Sequence, residues 1–213
     1  MSDSNTSDSS SYVYREARAD HTHRYLWQPV KKPLAQNGLD RLFELGCGNG
    51  AFAFELSSRD IKVTGVDPSE DGICIATNRK NAAGHGPDLF LGNAYDDLAA
   101  RYSTWPCVVS LEVVEHVYFP RKYAKCVNDL LEPGGIAIIS TPYHSYVKNL
   151  ALALTGKMDQ YFTALWDHGH IKFWSIPTLT ELSAEQALHC EQVQRVGRFK
   201  PIGKSMICVF RKK

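Results

Sequence analysis

The 213-residue chain predicts an α/β domain, a three-layer sandwich with helices on both faces of a mostly parallel sheet. Two observations carry this. Short, wholly apolar runs alternate with helix-spaced segments, a pattern that needs helical crossovers between parallel strands covered on both faces. The first such run also ends in a glycine cluster, Gly46, Gly48 and Gly50, just before a helix opens. With 44% hydrophobic residues the chain can bury a sizeable core, and its length suits one domain.

Residues 1–19 begin with a run of Ser, Asp, Asn and Thr that has nothing to bury, so a disordered tail is expected there. Residues 20–213 then form the single domain. Residues 23–35 mix aromatic, aliphatic and basic side chains, and predict a helical lead-in interrupted near Pro29 and Pro33. Strands are expected at 41–45, 62–67, 88–91, 107–111 and 136–140. Helices are expected at 51–58, at 70–82 behind the start signal Pro68-Ser69, and at 121–131 before the stop Pro133-Gly134-Gly135. Residues 142–171 read as a substrate-side insert, neither strand nor linker. A helix at 179–188 precedes strands at 189–196 and 206–211, whose short connection requires antiparallel pairing.

The charge balance, 24 Lys+Arg against 23 Asp+Glu, gives no general basic field, so no nucleic-acid partner is expected. No apolar run reaches the roughly 18 residues that span a bilayer, and no secretory signal is visible. The six cysteines are scattered, with no CxxC pair; reduced thiols in a cytoplasmic setting are expected, with neither disulfides nor structural zinc.

Glycines straight after the first strand let the backbone turn sharply, and the helix that follows presents N–H groups. Asp67 ends the second strand, 21 residues beyond Gly46, where a carboxylate can accept from ribose hydroxyls. Together they predict an adenosine-type ligand. Gly46, Gly48 and Ala51 also satisfy the dinucleotide fingerprint, which keeps an NAD-dependent oxidoreductase open as an alternative, beside a non-catalytic cofactor-binding protein. Against the first stand Glu44, whose charge suits an ammonium and opposes a pyrophosphate, and the little length left for a substrate domain.

Four segments in order, FELGCGNGAF, VTGVDPSE, VVSLEVVEHV and LLEPGGIAIISTPYH, carry a resemblance across residues 25–210. The chain resembles class I S-adenosylmethionine-dependent methyltransferases, and within them the ubiquinone-biosynthesis O-methyltransferases. That resemblance implies a Rossmann-like, seven-stranded sheet whose last strand is antiparallel. It also implies transfer of a methyl group to a small-molecule hydroxyl or phenol oxygen, leaving S-adenosylhomocysteine. By the resemblance Glu44, Gly46, Cys47, Gly48 and Gly50 face the methionine part of the cofactor. Asp67 takes the ribose, Pro68 and Ser69 lie beside the adenine, and Asn93-Ala94 meets its amino group. Leu111 and Glu112 flank the donor, and Arg24 suits its carboxylate.

The run Glu112-Val113-Val114-Glu115-His116 follows the fourth strand, at the edge where the acceptor would lie. In some relatives Glu, Glu and His bind a divalent cation with a further downstream His; here the matching set is Glu112, Glu115, His116 and His170. The metal-free reading is preferred, with His116 as general base and His144 as a second candidate. Tyr25, Trp27, Tyr143, Trp166 and His170 are candidates for the acceptor pocket. The aromatic-rich insert reads either as a lid or as an amphipathic surface for peripheral membrane contact. Oligomeric state is not readable.

Overall fold

The computed structural model describes residues 24–167, 169–197 and 203–213, and for Arg24 the backbone alone. The expected tail at 1–19 lies outside the described residues.

Helix α1 (Arg24–Gln36) runs through both prolines. The expected interruption does not occur. Leu26, Val30 and Leu34 recur every four residues and are at most 2% exposed. Burying each contributes about 2 kcal/mol, against about 3 kcal/mol for a helix-interior proline. The shared apolar stripe therefore offsets the backbone bonds the prolines remove.

Strand β1 (Arg41–Leu45), helix α2 (Ala51–Ser57), strand β2 (Lys62–Asp67), helix α3 (Glu70–Ala83) and strand β3 (Asp88–Leu91) follow as the alternation predicts. Ser69 caps α3 by accepting from the Gly72 N–H, and Gly84 ends it in the left-handed region. A short helix α4 (Leu98–Tyr102), capped by Asp97, then precedes β4 (Trp105–Leu111), α5 (Pro120–Leu130) and β5 (Leu131–Pro142). Strand β5 starts five residues before the expected 136, because Leu131 already pairs with Trp105 and the Pro-Gly-Gly run is taken up as an irregularity. The insert holds α6 (Tyr146–Leu154) and α7 (Met158–Tyr161). The chain closes with α8 (Ile176–Ala184), β6 (Leu188–Val196) and β7 (Ser205–Lys212).

The seven strands lie in the order β3-β2-β1-β4-β5-β7-β6. Pairings among β1 to β5 are parallel, while β7 runs antiparallel to both β5 and β6. One buried cluster joins α1 and α2 to one face through Leu42, Val63, Val109 and Ile138. The other joins α5 and α8 to the opposite face through Phe43, Val108, Tyr123 and Leu179. Between β1 and β4 the strand order reverses, and the carboxyl ends of these two strands open the crevice where ligands of such sheets bind.

Candidate functional site

The glycine turn is built by close approach. Gly46 sits at φ +83°, and its N–H and that of Cys47 both donate to the Val66 carbonyl, at 2.9 and 3.0 Å. A Cβ on Gly46 would lie 2.3 Å from Val113 Cγ2, and one on Gly50, at φ +75°, would lie 2.6 Å from Leu89 Cδ1. The turn thus packs against the loop after β4, with no room for side chains.

Asp67 stands at the end of β2 with both carboxylate oxygens engaged by backbone. The Gly48 N–H donates to Oδ2 at 2.8 Å and the Ser69 N–H to Oδ1 at 2.9 Å. Each oxygen keeps a second lone pair for a ligand hydroxyl. Glu44, on β1, is 3% exposed, and its Oε2 has no hydrogen-bond partner. Burial first, and then the Asp67 charge, push its carboxyl well above the usual range. A buried carboxylate with an orphan oxygen is costly unless a cation or donor meets it. Cys47 is buried behind it, Pro68 is exposed, and Leu111 closes β4 at 8% exposure.

Beyond β3, the Asn93 amide oxygen accepts from the Tyr95 N–H at 3.1 Å and the Asn93 N–H donates to Asp96 at 2.7 Å. This Asx turn fixes the side chain, and Ala94 packs on the core beside it.

The loop after β4 separates the two glutamates. Glu112, at φ +56°, takes hydrogen bonds from the Ser140 hydroxyl at 2.8 Å and the Ser205 hydroxyl at 3.4 Å. Ser205 Oγ in turn lies 2.5 Å from the Tyr25 hydroxyl, so β5, β7 and α1 meet on one carboxyl. Burial outweighs these bonds and raises Glu112 to about 7. Glu115 is 1% exposed, with neither carboxyl oxygen hydrogen-bonded. His116, Trp166 and His170 group their rings beside it. His116 lies 4.9 Å from His170, and Trp166 5.2 Å from His170, between centroids. His116 Nδ1 lies 3.2 Å from the Gly169 carbonyl, which can only accept, so Nδ1 carries a proton and the neutral ring's lone pair is on Nε2.

Of the four residues matched to a cation set, the structure brings three together. Ligand atoms of Glu115, His116 and His170 lie within 4.8 Å of one another, while Glu112 is committed to Ser140 and Ser205. The donor set of one carboxylate and two imidazoles, with an orphaned carboxyl and an outer carbonyl orienting one ring, fits a divalent cation.

His144 sits 8% exposed in an aromatic cage of Tyr161, Phe162 and Phe173. Burial, and then Lys148, lower it to about 4, which makes it a weak base. Tyr143 is buried beneath Arg195, whose guanidinium lies 5.3 Å from the ring centroid. Trp27 packs on Phe52 at 5.8 Å, behind the glycine turn. Arg24's side chain is outside the described residues. Sequence reasoning missed Ser140, Ser205 and the cations Lys148, Lys204 and Arg195; the basic run of residues 195–204, which holds four Lys and Arg and no acid, was the available signal for two of them.

No helix among the described residues is long and apolar enough to cross a membrane. A family model described as a methyltransferase domain matches residues 14–193. The chain is 32% identical over 145 residues to a ubiquinone biosynthesis O-methyltransferase of Azorhizobium caulinodans, covering 68% of this chain and 56% of that one. To the protein of that name from Dinoroseobacter shibae it is 29% identical over 198 residues, covering 91% and 75%. It thus spans between about half and three quarters of these relatives' lengths. Among solved structures, magnesium protoporphyrin IX methyltransferase from Synechocystis PCC 6803 with bound SAH superposes with a TM-score of 0.68 at 14% identity, covering 94% and 91%, and so shares the fold.

Proposed function

We propose that this chain, which belongs to the methyltransferase-domain family, moves the sulfonium methyl of S-adenosylmethionine to a hydroxyl or phenol oxygen of a small-molecule acceptor, a reading supported by relatives named ubiquinone biosynthesis O-methyltransferase. The observation that carries this is the pair of carboxyls flanking the glycine turn: Asp67, held by two backbone N–H groups, and Glu44, buried with an orphan oxygen. An ammonium answers Glu44, and a ribose answers the second lone pairs of Asp67. A dinucleotide pyrophosphate offers that orphan oxygen neither a cation nor a donor.

When bound, the cofactor supplies an electrophilic methyl beside a positive sulfur. The protein's share is alignment and proton removal. On this reading His116, in the loop after β4, faces the acceptor, and its lone pair on Nε2 takes the proton of the acceptor hydroxyl. With S-adenosylmethionine bound, the His116 imidazole would hold the acceptor's proton through the transfer. Glu115 lies beside the two histidine rings with its own carboxyl pushed well above the usual range, by burial first and then by Glu112, so it holds the rings in place as a buried polar group.

The test is a screen of phenolic and quinol acceptors with product mass spectrometry, followed by His116→Ala. Turnover should fall at least a hundredfold while cofactor affinity changes less than threefold; an unchanged rate would remove His116 from the chemistry. A second reading, favoured by the Glu115, His116 and His170 grouping, has a divalent cation polarise the acceptor oxygen there. On the metal-free account, turnover after chelation stays within twofold. A large loss restored by magnesium or zinc would assign the cation reading instead.

A further inference from the structure

Lys148, on α6, is half-buried and turned inward. Its ammonium donates to the Tyr143 carbonyl at 3.1 Å and to the Tyr161 hydroxyl, and lies 4.4 Å from the Tyr161 ring centroid. Both hydrogen-bond partners are neutral. Among the described residues no carboxylate lies within 4.0 Å of it. A buried ammonium is ordinarily paired, because desolvation costs more than neutral oxygens return.

Two more cations converge on the same place. Tyr143 donates its N–H to the Lys204 carbonyl at 3.0 Å, and Arg195 covers the Tyr143 ring. Lys204 in turn lies 5.1 Å from the Tyr25 ring centroid, and its charge also acts on the Glu112 carboxyl. Neither Lys204 nor Arg195 has a carboxylate within 4.0 Å among the described residues. Burial and the Lys204 charge together hold Lys148 down at about 8. Lys148 is the half-buried member of the three, while Lys204 and Arg195 are exposed; the like charge beside a partly desolvated ammonium is a cost that a bound anion removes.

We propose that Lys148, Lys204 and Arg195 form an anion subsite at the acceptor end of the crevice, and that the acceptor carries a carboxylate. The inference rests on the methyl-transfer reading above. The cofactor's own carboxylate is the other source of the same chemistry, and the test separates the two.

The test measures binding by calorimetry to protein saturated with S-adenosylhomocysteine, using 3,4-dihydroxybenzoate and its methyl ester. The acid should bind at least tenfold more tightly than the ester. In Lys148→Gln that difference should fall to threefold or less, and in Lys148→Arg most of it should remain. Affinity for S-adenosylhomocysteine should stay within threefold in both variants, which also reports that they are folded. Equal binding of acid and ester, or no binding of the acid, would overturn the subsite while leaving methyl transfer standing. A Lys148→Gln variant that is folded by its thermal transition but loses S-adenosylhomocysteine would reassign the lysine to the cofactor. Failure of the wild-type protein to bind S-adenosylhomocysteine would strike the methyl-transfer reading itself.

Discussion

At Gly46 the backbone adopts φ +83° with Val113 against it, so the smallest substitution carries two penalties at once. Gly46→Ala should lower cofactor affinity at least tenfold, about 1.4 kcal/mol, because relief requires moving the segment that carries Glu112 and His116. Calorimetry on the variant checks this. Adding Val113→Ala should restore part of the affinity by removing the clash while leaving the backbone strain. At this scale the sequence was most informative where chemistry and geometry coincide. Gly46, Glu44 and Asp67 have few reasons to occur together at a strand end. It was least informative where partners come from afar. Glu112 and Glu115 are equivalent in a linear reading, yet Ser140 and Ser205, 28 and 93 residues away, take one and leave the other to the histidines. Asn93 was expected to accept from the adenine; a turn two residues long takes one lone pair of its amide oxygen and leaves the other.

Helix α6 has no buried residue, and Tyr146, Val147 and Leu154 are 81%, 61% and 79% exposed. Replacing Tyr146, Leu150 and Leu154 by Ser should therefore leave Tm within about two degrees, since little burial is lost. The same variant should raise KM for a long-chain phenol more than for a short-chain one, if the exposed stripe guides greasy acceptors to the crevice; equal effects on both would tie it to something else. Legibility among the elements followed length and patterning. The β1 to β3 half was readable because each strand is short, apolar and punctuated. Helix α1 was not, because a local rule about proline was overruled by a stripe of three buried residues. Helix α4 is too short to show periodicity, and α6 and α7 sit in a segment whose apolar residues do not mark an inner face.

Across the whole molecule, ionisable groups buried at one sheet edge couple stability to pH. Burial raises Glu44, Glu112 and Glu115, Glu112 to about 7, so the folded chain keeps protons that the unfolded chain has released. Stability from these groups falls as pH rises from the ordinary carboxylate range through 7. His144 and His170, lowered to about 4 from 6.5 chiefly by burial, act the other way between those values. Lys148, lowered to about 8, begins to favour the fold only above that pH. Between pH 6.5 and 8 the carboxyls act alone, and Tm of the ligand-free protein should fall. Scanning fluorimetry checks the slope, and Glu112→Gln should flatten it; a rising Tm across that window would contradict the assignment. The parallel pairing and the antiparallel final pair were legible because connection lengths constrain them. The meeting of α1, β5 and β7 on Glu112 depends on the closed fold and on no single segment.

The central claim is that the crevice at β1 and β2 is shaped for a sulfonium nucleoside, and titration calorimetry of the purified protein tests it most directly. S-adenosylmethionine should bind one to one, with at least a tenfold loss in Asp67→Ala and in Glu44→Ala, and NAD should give no heat. Binding of NAD with no binding of S-adenosylmethionine would contradict it.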